Sequence, residues 1–322
     1  MRRVLSDKFI SDLNETDGFL YPILERIRKD HSLMLAIRND YLNVYYRGGN
    51  LLKLTRQSNG SYQSFFDDQY IKSGQSISSL PPVINSKSAA KNGVDSFQEL
   101  KLVMDFYFSD NNKLEREYQQ LVARENNDST ISNESEYFVT DIEFADTVLG
   151  ARFDILAIRW LATQRKNSAN CRAALIEMKY GDKAICGGSG LLDHLKDMDT
   201  FINSDRYGDL LGTIEGQFNQ LNQLKLLKFN QSSNHTEIKL DAKDKPEVIF
   251  ILANHNPRSS NLKKIINDQQ MDKYNFSNTF DLRFYVSTFS GYGLHSDCML
   301  TLDEFRKLLD TIDSRATTSN GK

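Results

Sequence analysis

The stretch RAALIEMKYG, residues 172–181, places charged side chains inside an apolar, strand-like run. In a β-strand, residues two positions apart point to the same face, so Glu177 and Lys179 share one face. Ile176 and Met178 point to the other face. Burying a carboxylate and an ammonium group is costly unless they are paired or the carboxylate binds a metal. The stretch therefore indicates either a functional site or an ion pair on an exposed strand face.

A second strand-like run, ARFDILAIRW at 151–160, carries Asp154 among apolar residues. The distance along the chain from Asp154 to Glu177 allows one strand to end, turn and be followed by a strand that runs back. If these two strands pair, the two carboxylates can be neighbours on one face. Adjacent carboxylates repel each other, and the pKa of one of them rises unless a cation lies between them.

Mg²⁺ would resolve this repulsion, because it is usually bound by one or two carboxylates with waters and a phosphate. Mn²⁺ suits the same oxygen ligands. Asp154 and Glu177 are the predicted ligands, and the Met178 carbonyl is a further neutral donor. Lys179 would then stand where an attacking water is held. A metal lowers the pKa of bound water and stabilises charge on a phosphoryl oxygen, so the pattern predicts phosphodiester hydrolysis.

The wider pattern predicts a mixed α/β fold in two parts. Residues 1–92 suggest a helix at 7–30 and an antiparallel meander whose short apolar runs are joined by hairpin-turn residues. The Ser-, Gly- and Pro-rich segment 73–93 is typical of a linker or long loop. Residues 93–314 read as helix, three strands, helices and further strands, and 315–322 as a disordered tail.

The order of helix, strand, Asp-bearing strand, Glu-x-Lys strand and helix resembles the PD-(D/E)XK nuclease superfamily, which has the restriction-endonuclease-like fold. The matching residues are Asp154 in RFDILAI, Glu177 and Lys179 in IEMKYG, and an acidic residue in KLEREYQQL. The family's αβββαβ core would cover about 110–255, under half the chain. The resemblance implies that Asp154 and Glu177 bind the metal and that Lys179 orients or activates the water.

The resemblance also implies a helical acid, for which Glu117 is preferred and Glu115 is the alternative. Many family members carry a polar residue on the helix after the Glu-x-Lys strand, and His194 in GLLDHLKDM stands there in place of the commoner Gln. Asp154 departs from the literal motif, because it follows Phe rather than Pro.

Asp141 and Glu143 are two further acids, which lie two apart in the strand predicted at 137–146. They could join the metal site, but they also suit an exposed edge strand. Similarly, each of Glu115 and Glu117 could belong to an ordinary solvated helix face.

The composition gives weaker indications of partners and location. The chain has 322 residues, a net charge of −3 and a mean hydropathy of −0.51, so no global basic field indicates nucleic-acid binding. Few, widely spaced cysteines and the lack of a membrane-length apolar run favour a cytoplasmic protein without a membrane partner. Basic and aromatic residues alternate in the meander and suit either nucleic-acid contact or any half-exposed sheet, namely Arg38, Tyr41, Tyr45, Tyr46, Arg47, Lys53 and Arg56.

These observations lead to one expected function and two alternatives. The expected function is a Mg²⁺-dependent nuclease, on DNA, with bacterial restriction or phage defence implied by the resemblance alone. Cutting both strands of a duplex needs two sites, which favours a homodimer. One alternative is a catalytically silent nuclease fold that binds nucleic acid or a protein partner. The other is a nuclease switched on by a ligand or partner protein at the N-terminal part.

Overall fold

The computed structural model describes residues 3–72, 80–129, 134–165, 171–187, 190–229, 237–256 and 258–319. Part of the predicted linker, residues 73–79, lies outside this range, as does the end of the predicted tail. The architecture is mixed α/β, with two five-stranded sheets, which confirms the predicted fold class at this level.

The first sheet is an antiparallel meander with strands in chain order. Its strands are β1 (Leu33–Ile37), β2 (Tyr41–Tyr46), β3 (Gly49–Arg56), β4 (Tyr62–Phe65) and β5 (Val83–Ile84). Helices before and after it are α1 (Asp7–Asn14), α2 (Tyr21–Lys29), α3 (Lys87–Asp95) and α4 (Phe97–Asp110). The predicted helix at 7–30 is thus interrupted near Asp17-Gly18, as its sequence indicates.

The turn between β2 and β3 sets the first sheet against the next helix, α5 (Leu114–Asn127). Both of its residues, Arg47 and Gly48, have positive φ, at 49° and 72°, as a two-residue hairpin turn requires. A Cβ on Gly48 would lie 2.6 Å from the backbone of Arg116, so only glycine allows this close approach to α5. The Gly48 amide donates to Oε1 of Gln120 at 2.8 Å.

The second sheet has the order β10-β9-β8-β7-β6. Its strands are β6 (Tyr137–Ala145), β7 (Arg152–Arg159), β8 (Arg172–Tyr180), β9 (Glu247–Ala253) and β10 (Asp281–Val286). Strands β6, β7 and β8 are antiparallel, whereas β9 pairs parallel with both β8 and β10. The remaining helices are α6 (Leu191–Ile202), α7 (Arg206–Gln223), α8 (Ser260–Ile266), α9 (Gln269–Asn275), α10 (Ser287–Ser290) and α11 (Leu302–Ser319).

The second sheet is covered by helices on both faces. Val122 and Ala123 of α5 pack in one buried cluster with Ile155, Ile176 and Met178 of the sheet. The larger cluster on the other face contains side chains from α6 and α7 and continues into the helices and strands of the first sheet. The predicted parts 1–92 and 93–314 therefore share one continuous apolar core.

Two segments differ from the expected linker and tail. Residues 83–84 form β5 and Lys87–Asp95 forms α3, so the described part of the predicted linker contains regular structure. The Ser86 side chain accepts a hydrogen bond from the Ala89 amide and caps α3. Helix α11 continues to Ser319, past the predicted start of the tail at Arg315. Among the helices described, none is long and apolar enough to cross a membrane.

Candidate active site

The predicted acids of β7 and β8 meet where the two strands stop pairing. Ile155 pairs with Ile176, and the ladder does not continue to Asp154 and Glu177. In place of a ladder bond, the Met178 amide donates to Oδ2 of Asp154 at 2.8 Å. The carboxyl groups of Asp154 and Glu177 also lie within hydrogen-bonding reach of each other. The sequence-based expectation that these two carboxyl groups are neighbours is met.

Glu177 is the centre of a buried polar cluster. Its Oε1 lies 2.7 Å from Nζ of Lys179 and 3.1 Å from Nδ1 of His194. The side chains of Glu177 and Lys179 are only 3% and 5% exposed, so this is not an ion pair on an exposed strand face. His194 comes from the first turn of α6, which packs on β8.

The helical acid at this cluster is Glu115, in the first turn of α5. Burial raises the pKa of Glu115, although the Lys179 ammonium and the Tyr180 amide act in the opposite direction. Glu115 in turn raises the pKa of both Asp154 and Glu177 by repulsion. Asp154, Glu177 and Lys179 are named here the carboxylate cluster. The structure brings Glu115 to this cluster.

Glu117 lies elsewhere, although sequence reasoning preferred it to Glu115. Its carboxylate pairs with the guanidinium of Arg47 in the β2–β3 turn, with Nε and Oε1 3.0 Å apart. Residues two positions apart on a helix point in widely different directions, so only one of these two acids can face β8.

Asp141 does not join the carboxylate cluster either. It is fully buried and bonded to the guanidinium of Arg38, which directly follows β1. Nη1 of Arg3 and Nε2 of Gln217 approach Oδ2 of Asp141 at 3.1 and 3.0 Å. Asp141 and Arg38 therefore hold the two sheets and α7 together, and Arg38 is too buried to contact a ligand.

Glu143 lies at the edge of the cluster. Its neighbours in β6, Ile142 and Phe144, pair with residues that flank Asp154. Its carboxylate lies 2.8 Å from Nη2 of Arg116, and it raises the pKa of Asp154 by repulsion. The positive φ of 54° at Glu143 marks an irregularity in the strand at this point.

The electrostatics of the cluster are those of crowded, buried carboxyl groups. Burial, followed by repulsion from Glu177, holds the pKa of Asp154 well above its usual range. Burial raises the pKa of Glu177 to about 7, against the opposing effect of Lys179. Full ionisation would give the cluster more negative charge than a single ammonium group compensates, so without a cation its carboxyl groups retain protons up to about neutral pH.

The carboxylates of the cluster are suitable oxygen ligands for a hard divalent cation. Mg²⁺ is commonly held by one or two carboxylates, with waters and substrate oxygens completing its shell. Asp154 and Glu177 are two such carboxylates in contact. Within the part of the chain that the structure describes, no three His, Cys, Asp or Glu side chains form a ready-made metal cage. A cation bound to these two carboxylates would take its remaining oxygens from the backbone, solvent or substrate.

Sequence reasoning missed a group of three tyrosines that packs on the Met178 face of β8. The ring of Tyr118 in α5 packs against Tyr180 and Tyr292, with centroids 4.9 and 5.3 Å apart. Asn254, which follows β9, donates to the Tyr180 hydroxyl at 2.9 Å. Tyr180 directly follows Lys179, which is a local signal, but nothing in the sequence links it to Tyr118 and Tyr292.

Comparison with known proteins adds nothing to this geometry: no family model, curated protein or solved structure matches the chain.

Proposed function

We propose that this protein is a metal-dependent nuclease of the PD-(D/E)XK type. The observation that carries the proposal is the contact between Asp154 and Glu177 where β7 and β8 separate, with Lys179 bonded to Glu177. Buried carboxylates are costly, and a site that combines them with an ammonium group and raised pKa values is a candidate for catalysis.

The order of elements around the site supports the same proposal. Helix α5 precedes β6, β7 and β8, and α6, α7 and β9 follow. This order is similar to the αβββαβ core of the restriction-endonuclease-like fold, with one additional helix before the fourth strand, and Asp154 lies on the second strand and Glu177 and Lys179 on the third. We extend the proposal to DNA as the substrate and to bacterial restriction or phage defence as the context, both from this resemblance.

Each residue of the cluster has a role in the proposed reaction. Asp154 and Glu177 would hold Mg²⁺ or Mn²⁺, and the Met178 carbonyl remains a proposed neutral donor. When bound, the metal would lower the pKa of a water and stabilise charge on the phosphoryl oxygen. The Lys179 ammonium would orient the attacking water or stabilise the negative charge that develops at the phosphate.

His194 and Glu115 would act on the reacting groups through Glu177 and Asp154. The imidazole of His194, on α6, contacts Glu177 and would fix the orientation of its carboxyl group. Glu115 raises the proton affinity of the two metal-binding carboxylates through its charge.

A second candidate is a catalytically silent fold that binds nucleic acid or a protein partner. It is favoured by the direct Lys179–Glu177 contact at 2.7 Å, because a stable buried ion pair has the same geometry. It is also favoured by the absence of a three-residue metal cage among the described residues.

Cleavage assays on supercoiled plasmid, linear duplex, single-stranded DNA and RNA test the proposal. Each is run with Mg²⁺, Mn²⁺ or EDTA on the wild type, Asp154→Ala and Lys179→Ala. Asp17→Ala and Lys243→Ala change the same residue types at exposed positions and serve as matched controls. We expect metal-dependent cutting that both site variants lose and both controls keep.

A folded wild type that cuts none of these substrates would overturn the proposal for the isolated chain. Mn²⁺ binding then separates the two alternatives. Binding that Asp154→Ala removes would favour a nuclease that needs an activator, and no binding would favour the silent fold.

A further inference from the structure

A cavity of about 450 Å³ lies between the first sheet and α5. One wall consists of residues from one face of α5, spaced three or four apart, and the other consists of residues at the start of β1 and at the β2–β3 turn. Its lining includes the cationic, acidic and aromatic side chains of Tyr46, Arg47, Glu117, Tyr118 and Arg124. A volume in this range is typical of sites for small molecules.

The cavity is lined by two cationic side chains that can reach a ligand and by a carboxylate. The side chains of Arg47 and Arg124 are 33% and 41% exposed. Arg47 pairs with Asp105 and Glu117, and Arg124 pairs with Glu125. Both guanidinium groups are therefore held in place by carboxylates in the cavity wall or beside it. Guanidinium groups bind phosphate oxygens through two parallel hydrogen bonds, and half-exposed ion pairs are weak enough to be exchanged for such bonds.

The cavity also offers aromatic surface. Tyr118 and Tyr46 both line it, on opposite walls. Aromatic rings bind nucleobases by stacking with little dependence on the base, which is how many proteins hold unpaired nucleotides. The wall formed by α5 also carries Glu117, and carboxylates commonly accept hydrogen bonds from ribose hydroxyls in nucleotide sites.

We propose that this cavity binds a nucleotide, with its phosphate on Arg47 and Arg124, its sugar toward Glu117 and its base against Tyr118. Two sources share this chemistry: a free nucleotide, and an unpaired nucleotide of a nucleic-acid strand. The site is separate from the carboxylate cluster but shares α5 with it, since Glu115 and Tyr118 are one turn apart on that helix. The proposal does not depend on the proposed nuclease activity.

Binding to the full chain in EDTA tests the proposal without any cleavage. The probes are ATP, GTP, AMP and fluorescently labelled single-stranded DNA and RNA hexamers, measured by calorimetry and fluorescence anisotropy. The variants are Arg124→Ala, Tyr118→Ala and Tyr118→Phe, and Arg258→Ala at an exposed position away from the cavity is the matched control. Thermal unfolding of each variant checks that the fold is kept.

We expect at least one probe to bind saturably, with affinity reduced roughly tenfold or more by Arg124→Ala and by Tyr118→Ala, as the loss of a charge-assisted hydrogen bond or a stacking contact implies. Tyr118→Phe keeps the ring and should keep most of the affinity, and Arg258→Ala should bind as the wild type does. Binding of ATP, GTP or AMP would identify a free nucleotide as the ligand, and binding of the hexamers alone would identify a strand.

No saturable binding of any probe to the folded wild type would overturn the proposal. The same holds for binding that neither Arg124→Ala nor Tyr118→Ala weakens. Asp154→Ala is predicted to bind the nucleotide normally, because the carboxylate cluster is not part of the cavity. A failure of the nuclease proposal would therefore leave this result unchanged.

Discussion

The Met178 amide donates a hydrogen bond of 2.8 Å to Oδ2 of Asp154, at the point where β7 and β8 cease to pair. This bond fixes the carboxylate of one strand against the backbone of the next, one residue after Glu177. A carboxylate that accepts a backbone N–H bond is held in its charged form more readily. Burial and the neighbouring Glu177 outweigh this effect, and the pKa of Asp154 remains well above its usual range.

Mn²⁺ binding to the carboxylate cluster is predicted to tighten as the pH rises through about 7. The raised pKa values of Asp154 and Glu177, the latter about 7, mean that protons occupy the ligands below this range and compete with the cation. Titration of Mn²⁺ at pH 5.5, 6.5, 7.5 and 8.5, followed by electron paramagnetic resonance, measures the change. An affinity that is constant over this range would contradict the assignment of these groups as ligands.

Glu115→Gln is predicted to move the pH midpoint of Mn²⁺ binding to lower pH, by roughly half a unit to one unit. Its charge raises the pKa of both Asp154 and Glu177, and the neutral amide removes this repulsion. Glu117→Gln should leave the midpoint in place, because the Glu117 carboxylate is paired with Arg47 on another side of α5. A shift caused by Glu117→Gln and not by Glu115→Gln would reverse the assignment of the helical acid.

The choice between Glu115 and Glu117 shows where sequence reasoning reaches its limit. Periodicity and turn residues locate α5, β7 and β8, because these depend on neighbours in the chain. Which acid of α5 faces β8 depends on how the helix is rotated against the sheet, and that rotation is set by the packing of Val122 and Ala123.

Long-range pairing hides the role of Asp141 in the same way. Its partner Arg38 is 103 positions away in the chain. From the sequence, Asp141 suited a metal ligand and Arg38 suited a nucleic-acid contact. Similarly, the Ser-rich run before α3 has the composition of a linker, but Ser86 in it is a helix cap.

Asp141→Ala is predicted to destabilise the fold by about 3–5 kcal/mol, because it leaves the buried guanidinium of Arg38 without its carboxylate. Chemical denaturation at pH 7 measures the free energy of unfolding. The double variant Arg38→Met/Asp141→Leu removes both charges and should cost less than the single change. If the double variant were the less stable of the two, the charge pair itself would be the stabilising feature.

Asp154→Asn is predicted to be more stable than the wild type at pH 8 without metal, by about 1–2 kcal/mol. The folded wild type holds the Asp154 proton above the ordinary value of 3.8, where the unfolded chain has lost it. The free energy of unfolding of the wild type therefore falls as the pH rises from about 4 through the raised pKa of the folded state. The amide has no such proton and still accepts the Met178 N–H bond.

Thermal and chemical unfolding at pH 4 and pH 8, in EDTA, measure this difference, which should shrink toward pH 4. Asp17→Asn changes an exposed carboxyl group and is the matched control. A wild type that matches Asp154→Asn in stability at both pH values would show that ionisation of Asp154 does not destabilise the folded protein.

Lys179→Met is predicted to separate metal binding from catalysis. Methionine has a similar length and fills the buried position of Lys179, which is 5% exposed, without a charge. The carboxylates of Asp154 and Glu177 remain, and Glu177 loses the ammonium group that competes with a cation for Oε1. Because this ammonium group also lowers the pKa of Glu177, its loss favours the protonated acid, and binding is therefore compared at pH 8.5, where Mn²⁺ should bind at least as tightly as to the wild type. Cleavage should fall by roughly 10²–10⁴-fold, the usual contribution of a positioned proton-transfer or charge-stabilising group.

Single-turnover cleavage and Mn²⁺ titration on the same preparation test this separation, with Lys243→Met as the control at an exposed position. Cleavage within a few fold of the wild type would remove Lys179 from the reaction. Loss of Mn²⁺ binding together with cleavage would show instead that the ammonium group holds Glu177 in place for the metal. Only retained binding with lost cleavage supports a role for Lys179 at the attacking water or the phosphate.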